Sequence, residues 1–494
     1  MYLPSISRLF ISILLYHDVT AKLYPSYCSE PSAMQSRGIP PISDDSQLIQ
    51  AIVVIRHGAR TPYTPLKCWN GYNTRWDCNL TTDMLVPDKP VVFEKRYDGL
   101  MQDPDSQNGL GGTCLTGQLI EQGVKQELVN GIHLRNVYGG VLFNSTKDIY
   151  LRSDDEQRTL VSLQVLVGGL LDGNATTPLT IHTADYSRDI IAPHANQCPR
   201  LHELSLEAYQ SKEYHSHLFS PDIQRALSSV QQEWPQKHMN DGLDCLMTTY
   251  CTNRPLPKWL ESNQNGYTDD DGSLFTDLAN FFAWNYSFQF SYNEGSYGKL
   301  AMTPLWNWII PQLPIINTNS SKAKLLLISG HDTTLIALLT SLQIWDGKWP
   351  PYASMFVIET YLTSTNQIAF RLVYNGQVIT PMMESCPDAE LCDMKVLVNH
   401  LDSFLANEWD CNLRLRNSVT TKTVSISTVW ITCLSTAMLT AFFTYYYLVG
   451  QQQKPSEGYY TRVPNSDHTV DSTAIEIAET LDNYGSTHSS ANEV

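Results

Sequence analysis

Basic residues are scarce in this sequence. The 494-residue chain holds 33 Lys and Arg against 50 Asp and Glu, a formal net charge of −17. That balance excludes a protein built to grip nucleic acid through its phosphates. Charge of either sign is thin: charged residues make up 17% of the chain, below the ~25% usual for soluble domains. No internal repeat is present, which sets aside solenoids and arrays. Apolar residues are not lacking: at 42% they exclude a wholly disordered chain. The length allows two or three domains, or one large α/β domain with an inserted cap. With 26 Tyr and 11 Trp beside so little charge, the bulk reads as a secreted-type ectodomain.

The two ends carry targeting signals. Arg8, the apolar run 9–16 and Val19-Thr20-Ala21 have the layout of a signal peptide over 1–21. That run is too short to span a bilayer. Residues 22–50 then form an N-terminal extension. Residues 424–449 contain no charge and include Tyr445, Tyr446 and Tyr447 near their end. At ~1.5 Å per residue they reach across a hydrocarbon core of roughly 30 Å as one transmembrane helix with an interfacial aromatic belt. A linker over 412–423 precedes the span. The tail, 450–494, is rich in Ser, Thr and Asn and reads as disordered. The signal peptide sets the orientation: ectodomain lumenal or extracellular, tail cytosolic, a single-pass type I protein.

Cysteines and glycosylation sequons agree with that compartment. Ten of the eleven cysteines precede the span and Cys433 lies within it. Disulfides are therefore expected; spacing suggests Cys245 with Cys251. Sequons stand at Asn79, Asn144, Asn174, Asn285 and Asn319, all in the ectodomain, and mark expected glycosylation sites.

Along the ectodomain, short apolar runs alternate with helical periodicity. Ala51–Ile55, Asp148–Leu151 and Lys324–Ser329 read as strands, and Met355–Thr360, Gln367–Tyr374 and Gln377–Ile379 as late ones. Leu115–Tyr138, with Thr116 as N-cap, Arg158–Leu171 and Thr333–Leu342 read as helices. Residues 63–113 are turn-rich and read as a long loop or decorated insertion. Residues 198–300 are mainly helical. The expected fold class is α/β: a mostly parallel central sheet flanked by helices, with a smaller, mainly helical cap over about 198–300 and one C-terminal transmembrane helix.

Three of the strand ends deliver polar clusters: Arg56-His57-Gly58-Ala59-Arg60-Thr61-Pro62, Arg152-Ser153 and Gly330-His331-Asp332. Open α/β sheets place their sites at the carboxyl ends of strands. Three arginines and two histidines there make a positive pocket in an acidic protein, suited to an oxyanion and above all to phosphate. Phosphate-monoester hydrolysis is extremely slow unaided, and a covalent route divides it into easier steps. A neutral imidazole can attack phosphorus while arginines neutralise the equatorial oxygens. Asp332, if protonated, is a donor for the leaving group, which favours an acidic working pH.

These residues resemble the histidine acid phosphatases, a branch of the histidine phosphatase superfamily. The RHGxRxP signature is complete at Arg56–Pro62, and the His-Asp pair follows another strand downstream. Further matches are Leu115-Thr116 with Gly123, Leu134-Arg135 with Tyr138, and Arg152-Ser153 with Arg158-Thr159. Others are Cys198-Pro199-Arg200, Pro351-Tyr352-Ala353-Ser354 with Glu359, and Tyr374-Asn375-Gly376. The resemblance covers about 51–411, taken as the catalytic domain. It implies His57 as nucleophile, Arg56, Arg60, Arg152 and His331 as phosphate-binding residues, and Asp332 as proton donor, with no metal and no cofactor. It implies the disulfides Cys198–Cys411 and Cys386–Cys392. The chain departs from the family's Arg-Ser-Thr with Arg152-Ser153-Asp154, an extra carboxylate near the pocket.

The layout resembles the lysosomal type within that family. That implies a lysosomal or endosomal membrane, or the cell surface, and phosphate monoesters as substrates. Tyr460 and Val463 resemble a tyrosine-based endocytic signal for an adaptor; a homodimer is a further partner to look for, and nucleic acid is not. Two other readings stand beside the general phosphatase. One is a catalytically inactive receptor or interaction protein; the other is a phosphatase dedicated to a lysophospholipid phosphate, an inositol phosphate or a phosphosugar. Arg158 reads as a surface or ion-paired arginine and Glu359 as structural. His215-x-His217 lacks a third metal ligand, and Asp269–Gly272 reads as a solvated loop.

Overall fold

The structure is a computed structural model that describes residues 28–42, 45–63, 67–78, 113–172, 179–184, 189–193, 198–234, 239–262, 274–314, 323–405 and 411. The expected signal peptide, linker, transmembrane helix and tail lie outside these. No helix among the described residues is long and apolar enough to cross a membrane.

Among the described residues, eight strands form one sheet: β1 (Gln47–Arg56), β2 (Ile149–Ser153), β3 (Ile181–His182), β4 (Leu325–Gly330), β5 (Met355–Leu362), β6 (Ile368–Tyr374), β7 (Gln377–Val378) and β8 (Cys392–Asp393). Their order is β3-β2-β4-β1-β5-β6-β7, with β8 also on β6. β1 is buried on both faces because its side chains alternate between two apolar cores. Ile52 and Val54 join one core, and Ala51, Val53 and Ile55 the other. That is the pattern of a central strand covered by helices on both sides.

The sheet is mixed rather than mostly parallel. β3, β2, β4 and β1 run parallel, whereas β5 pairs antiparallel with β1 and with β6. The reason lies in chain length: only residues 363–367 separate β5 from β6, which suffices for a hairpin but not for a parallel crossover. β1 also begins at Gln47, four residues inside the expected extension.

The helix expected from Leu115 begins at Glu121, with Ile120 rather than Thr116 at its cap. The intervening residues are committed to the signature loop instead. Thr61 N donates to Gln118 O at 2.9 Å, and Thr61 Oγ1 donates to Leu115 O at 2.8 Å. Helix Glu121–Tyr138 packs on helix Gln157–Leu171 over one face of the sheet. The described residues of the expected cap are helical: Pro199–Tyr209, Lys212–Leu218, Pro221–Val230, Met239–Cys251, Lys258–Ser262 and Leu274–Ile309, the last running past the expected bound at 300 and broken at Tyr292–Gly295. The insertion is more than decoration, because Trp69, Tyr72 and Trp76 are buried in the main core.

The ten described cysteines form five disulfides. Cys198–Cys411 and Cys386–Cys392 are as expected. Cys245 and Cys251 do not pair with each other; Cys245 binds Cys68, Cys251 binds Cys28, and Cys78 binds Cys114. Six residues apart on one helix, 245 and 251 point to different faces, so each reaches a separate incoming segment. Helix Met239–Cys251 is thereby stapled to both the N-terminal segment and the insertion.

Candidate active site

The parallel half of the sheet brings the signature and the downstream pair together. In β1, Arg56 faces Gly330 of β4 across the ladder, and His57 N donates to Gly330 O at 3.0 Å. His57 is 2% exposed. Its Nδ1 lies 2.8 Å from the carbonyl oxygen of Gly58. A carbonyl only accepts, so Nδ1 carries the proton and Nε2 keeps its lone pair. Gly58 is required by space: a Cβ there would stand 2.5 Å from Gly123 O. This close approach fixes the signature loop on the first turn of helix Glu121–Tyr138. Ser162 Oγ accepts from Gly58 N and Gln126 Oε1 from Ala59 N, at 3.1 and 2.8 Å.

Positive charge surrounds the His57 ring. Burial first, then Arg158, Arg56, His331 and Arg60, drive its pKa well below the usual histidine value. Burial and these charges therefore favour the neutral imidazole. The His57 and His331 rings stand 5.5 Å apart, edge to face. Arg56 bonds Asp332 Oδ2 at 2.8 Å and stacks 4.2 Å from the Tyr352 ring centroid. Arg60 is gripped by both oxygens of Asp244, at 3.0 and 3.3 Å. The buried Nε groups of Arg56, Arg152 and Arg158 have no acceptor among the described residues.

His331 caps helix Asp332–Ser341, and Asp332 is its first residue. Burial alone would raise the Asp332 pKa, but Arg56, with His331 and Arg60 behind it, outweighs this and holds the carboxyl below its ordinary value. The free protein therefore carries Asp332 as a carboxylate. An anionic phosphoryl group that engages Arg56 would relieve that hold and favour the protonated acid.

Arg158, rather than Arg152, stands beside His331. Arg158 Nη2 lies 3.5 Å from His331 Nδ1, and its guanidinium also contacts Glu156. Arg152 turns to Asp189 at 3.4 Å. The physical reason is position. Arg152 is inside β2, whereas Arg158 is the second residue of the helix that follows it, in the first turn above the strand ends. Asp244, which sequence reasoning also missed, arrives on the stapled cap helix.

Asp154, Glu156 and His331 offer ligand atoms within 4.8 Å of one another. Arg158 contacts both Glu156 and His331, so a cation already neutralises that cluster. His215 and His217 lie on a helix, not a strand, and their rings contact Phe219 and Trp284. Glu359 bonds Arg371 and Tyr138 at 2.6 and 2.8 Å inside the sheet. Asn144 is exposed. Asn285 is 2% exposed and accepts from Tyr214 Oη at 2.6 Å, so a glycan there has no room in the fold. Asn79, Asn174, Asn319, Tyr460, Val463 and Asp269–Gly272 lie outside the described residues.

The profile of the histidine phosphatase superfamily (branch 2) matches residues 47–375. Similar proteins include Counting factor 60 of Dictyostelium discoideum, 26% identical over 78% of this chain and 91% of that protein. Lysosomal acid phosphatase of Xenopus laevis is 29% identical over 60% of this chain and 70% of its own length. Lysophosphatidic acid phosphatase type 6 of Bos taurus is 26% identical over 71% and 82%. The chain belongs to branch 2 of the histidine phosphatase superfamily. Within that class it is an acid phosphatase, a phosphoric monoester hydrolase.

Proposed function

We propose that this acid phosphatase works through a phosphohistidine on His57, in a lumenal or extracellular domain held at the membrane by residues 424–449. The observation that carries the reading is the His57 ring itself: buried, neutral, with its Nδ1 proton committed to Gly58 and its Nε2 left free. Nε2 attacks phosphorus and the P–O bond to the leaving group breaks as the P–N bond forms. Arg56, Arg60 and Arg158, with His331, stabilise the equatorial oxygens. Arg158 takes the role that the sequence assigned to Arg152. Asp332, protonated in the complex, gives its proton to the departing oxygen. It then takes a proton from the water that cleaves the P–N bond, releasing phosphate and restoring His57.

The test is hydrolysis of an aryl phosphate by the secreted ectodomain, residues 22–420, from pH 4 to 8 with a chelator present, beside His57→Ala. Chelator-resistant activity in acid, lost in the variant, with acid-labile phosphate trapped on His57, is the expected result. A folded protein that turns over no phosphate monoester at any pH would overturn the reading. It would favour the inactive receptor, against which the intact His57, Arg60, His331 and Asp332 stand. The similarity to a lysophosphatidic acid phosphatase makes a lysophospholipid phosphate the first dedicated substrate to try.

A further inference from the structure

Two carboxyl groups meet behind His331 in a place the mechanism above leaves unused. Asp154 and Asp189 are each 2% exposed. Asp154 Oδ1 accepts the Asp155 N–H at 2.9 Å, and its Oδ2 lies 2.5 Å from His331 Nε2. Asp189 Oδ1 accepts the N–H groups of Ile190 and Ile191 at 2.6 and 3.1 Å and faces Arg152 Nη2 at 3.4 Å. Asp189 Oδ2 is buried and meets no N–H or O–H donor among the described residues. Among the described residues, the Asp154 carboxyl lies within hydrogen-bond reach of Asp189. Two carboxylate oxygens repel unless a proton lies between them.

We propose that Asp154 and Asp189 share one proton and act as a positioning pair for His331. Asp189 donates the proton to Asp154, and Asp154 holds the His331 imidazole, through Nε2, beside the phosphoryl site. The inference rests on the proposed function only in that His331 borders that site. Neither carboxyl touches substrate. The other charged groups at the pair are Arg152 on β2 and Glu156 and Arg158 at the start of the next helix, whereas Asp155 and His182 are exposed and the His182 ring stacks on Tyr150.

The arrangement has a pH consequence. Burial, then the Asp154 hydrogen bond and charge, raise Asp189 to about 7. Burial also disfavours charge on Asp154, but the His331 contact outweighs it and keeps that carboxyl low. Asp189 therefore holds its proton in acid and releases it near neutrality. Its ionisation sets two carboxylates against each other, draws Asp189 towards Arg152 and loosens Asp154 from His331. It also adds negative charge beside an anion site, so phosphate monoesters bind less well.

The test compares pH profiles of kcat/KM on one aryl phosphate, so the substrate's own ionisation cancels between variants. Asp189→Asn keeps the hydrogen bond to Asp154 and cannot ionise. It should move the alkaline limb up by about one pH unit, a roughly tenfold relative gain at pH 8. Asp154→Ala should lower kcat/KM at pH 5, and Asp154→Asn, whose amide oxygen still accepts from Nε2, should restore most of it. An Asp189→Asn profile identical to the parent's, or an Asp154→Asn no better than Asp154→Ala with both folded, would overturn the proposal. Should Asp189→Asn not fold, infrared spectra of the intact chain carrying His57→Ala decide the matter. A buried protonated-carboxyl band that titrates near pH 7 supports the pair, and its absence refutes it. Hydrolysis surviving in His57→Ala would instead break the proposed function and leave the carboxyl pair standing.

Discussion

Replacing Arg158 with Ala, beside Arg152 with Ala, tests the site most directly. Arg158 abuts His331, and its buried Nε has no acceptor among the described residues. A phosphoryl group at His57 would receive about two charge-assisted hydrogen bonds from it, each worth about 1.5–2 kcal/mol. Their joint loss, about 3–4 kcal/mol, lowers kcat/KM by roughly 10²–10³-fold. A second effect accompanies the first. After burial, Arg158 is the largest of the influences that depress the His57 pKa. Without it the imidazole protonates at higher pH. The nucleophile must be neutral, so the acid limb of the profile moves upward. Arg152→Ala removes only the partner of Asp189 and should cost less than about tenfold at pH 5, with the acid limb unmoved. Steady-state kinetics from pH 4 to 8 on both variants read each quantity. Equal losses in the two, or an unshifted acid limb in Arg158→Ala, would refute the placement of Arg158 at the phosphoryl group.

Asp332→Asn should lose roughly 10²–10⁴-fold on alkyl phosphates but far less on aryl phosphates with good leaving groups, since only the former need a proton from the enzyme; parallel kcat measurements on the two classes check this. Gly58→Ala places a Cβ 2.5 Å from Gly123 O; the loop must shift, so both the melting temperature and the activity should fall together, whereas Gly71→Ala, with nothing within 4 Å but a positive φ of 79°, should cost stability alone. Non-reducing peptide mapping should recover Cys28–Cys251 and Cys68–Cys245 and no Cys245–Cys251 peptide.

Much of the site was legible because three strands end in polar residues that a buried strand cannot otherwise carry. Arg56 and His57 directly follow five apolar residues, and His331 follows the apolar Leu325–Ile328 after Ser329 and Gly330. Those breaks in hydrophobicity marked the carboxyl edge of the sheet. The direction of β5 and β6 was less visible, since both read as short apolar runs whichever way they pair, and only the five-residue gap between them decides for a hairpin. The cysteine pairs that join distant segments, 28 with 251 and 68 with 245, depend on the cap's path over the sheet, which no local pattern encodes. The local pair 386–392 and the pair 198–411, by contrast, came from the family resemblance.

Arg158 shows where reading strand ends alone falls short. His331 and Asp332 were found because they sit at the junction of β4 and the next helix. The same junction follows β2, and there the chain bends through residues 154–156 before the helix begins at Gln157. The first helical turn therefore sits above the strand ends, as Asp332 does after β4, and carries its second residue back over the pocket. Arg152, one residue before the end of β2, remains among the strands and points to Asp189. The edge of such a sheet is thus made of two layers, the last residues of the strands and the first turn of the helices that follow. A charged residue in that first turn is as much a candidate for the site as one at a strand end. The helix dipole adds a reason, because the same turn presents its unpaired N–H groups to an anion.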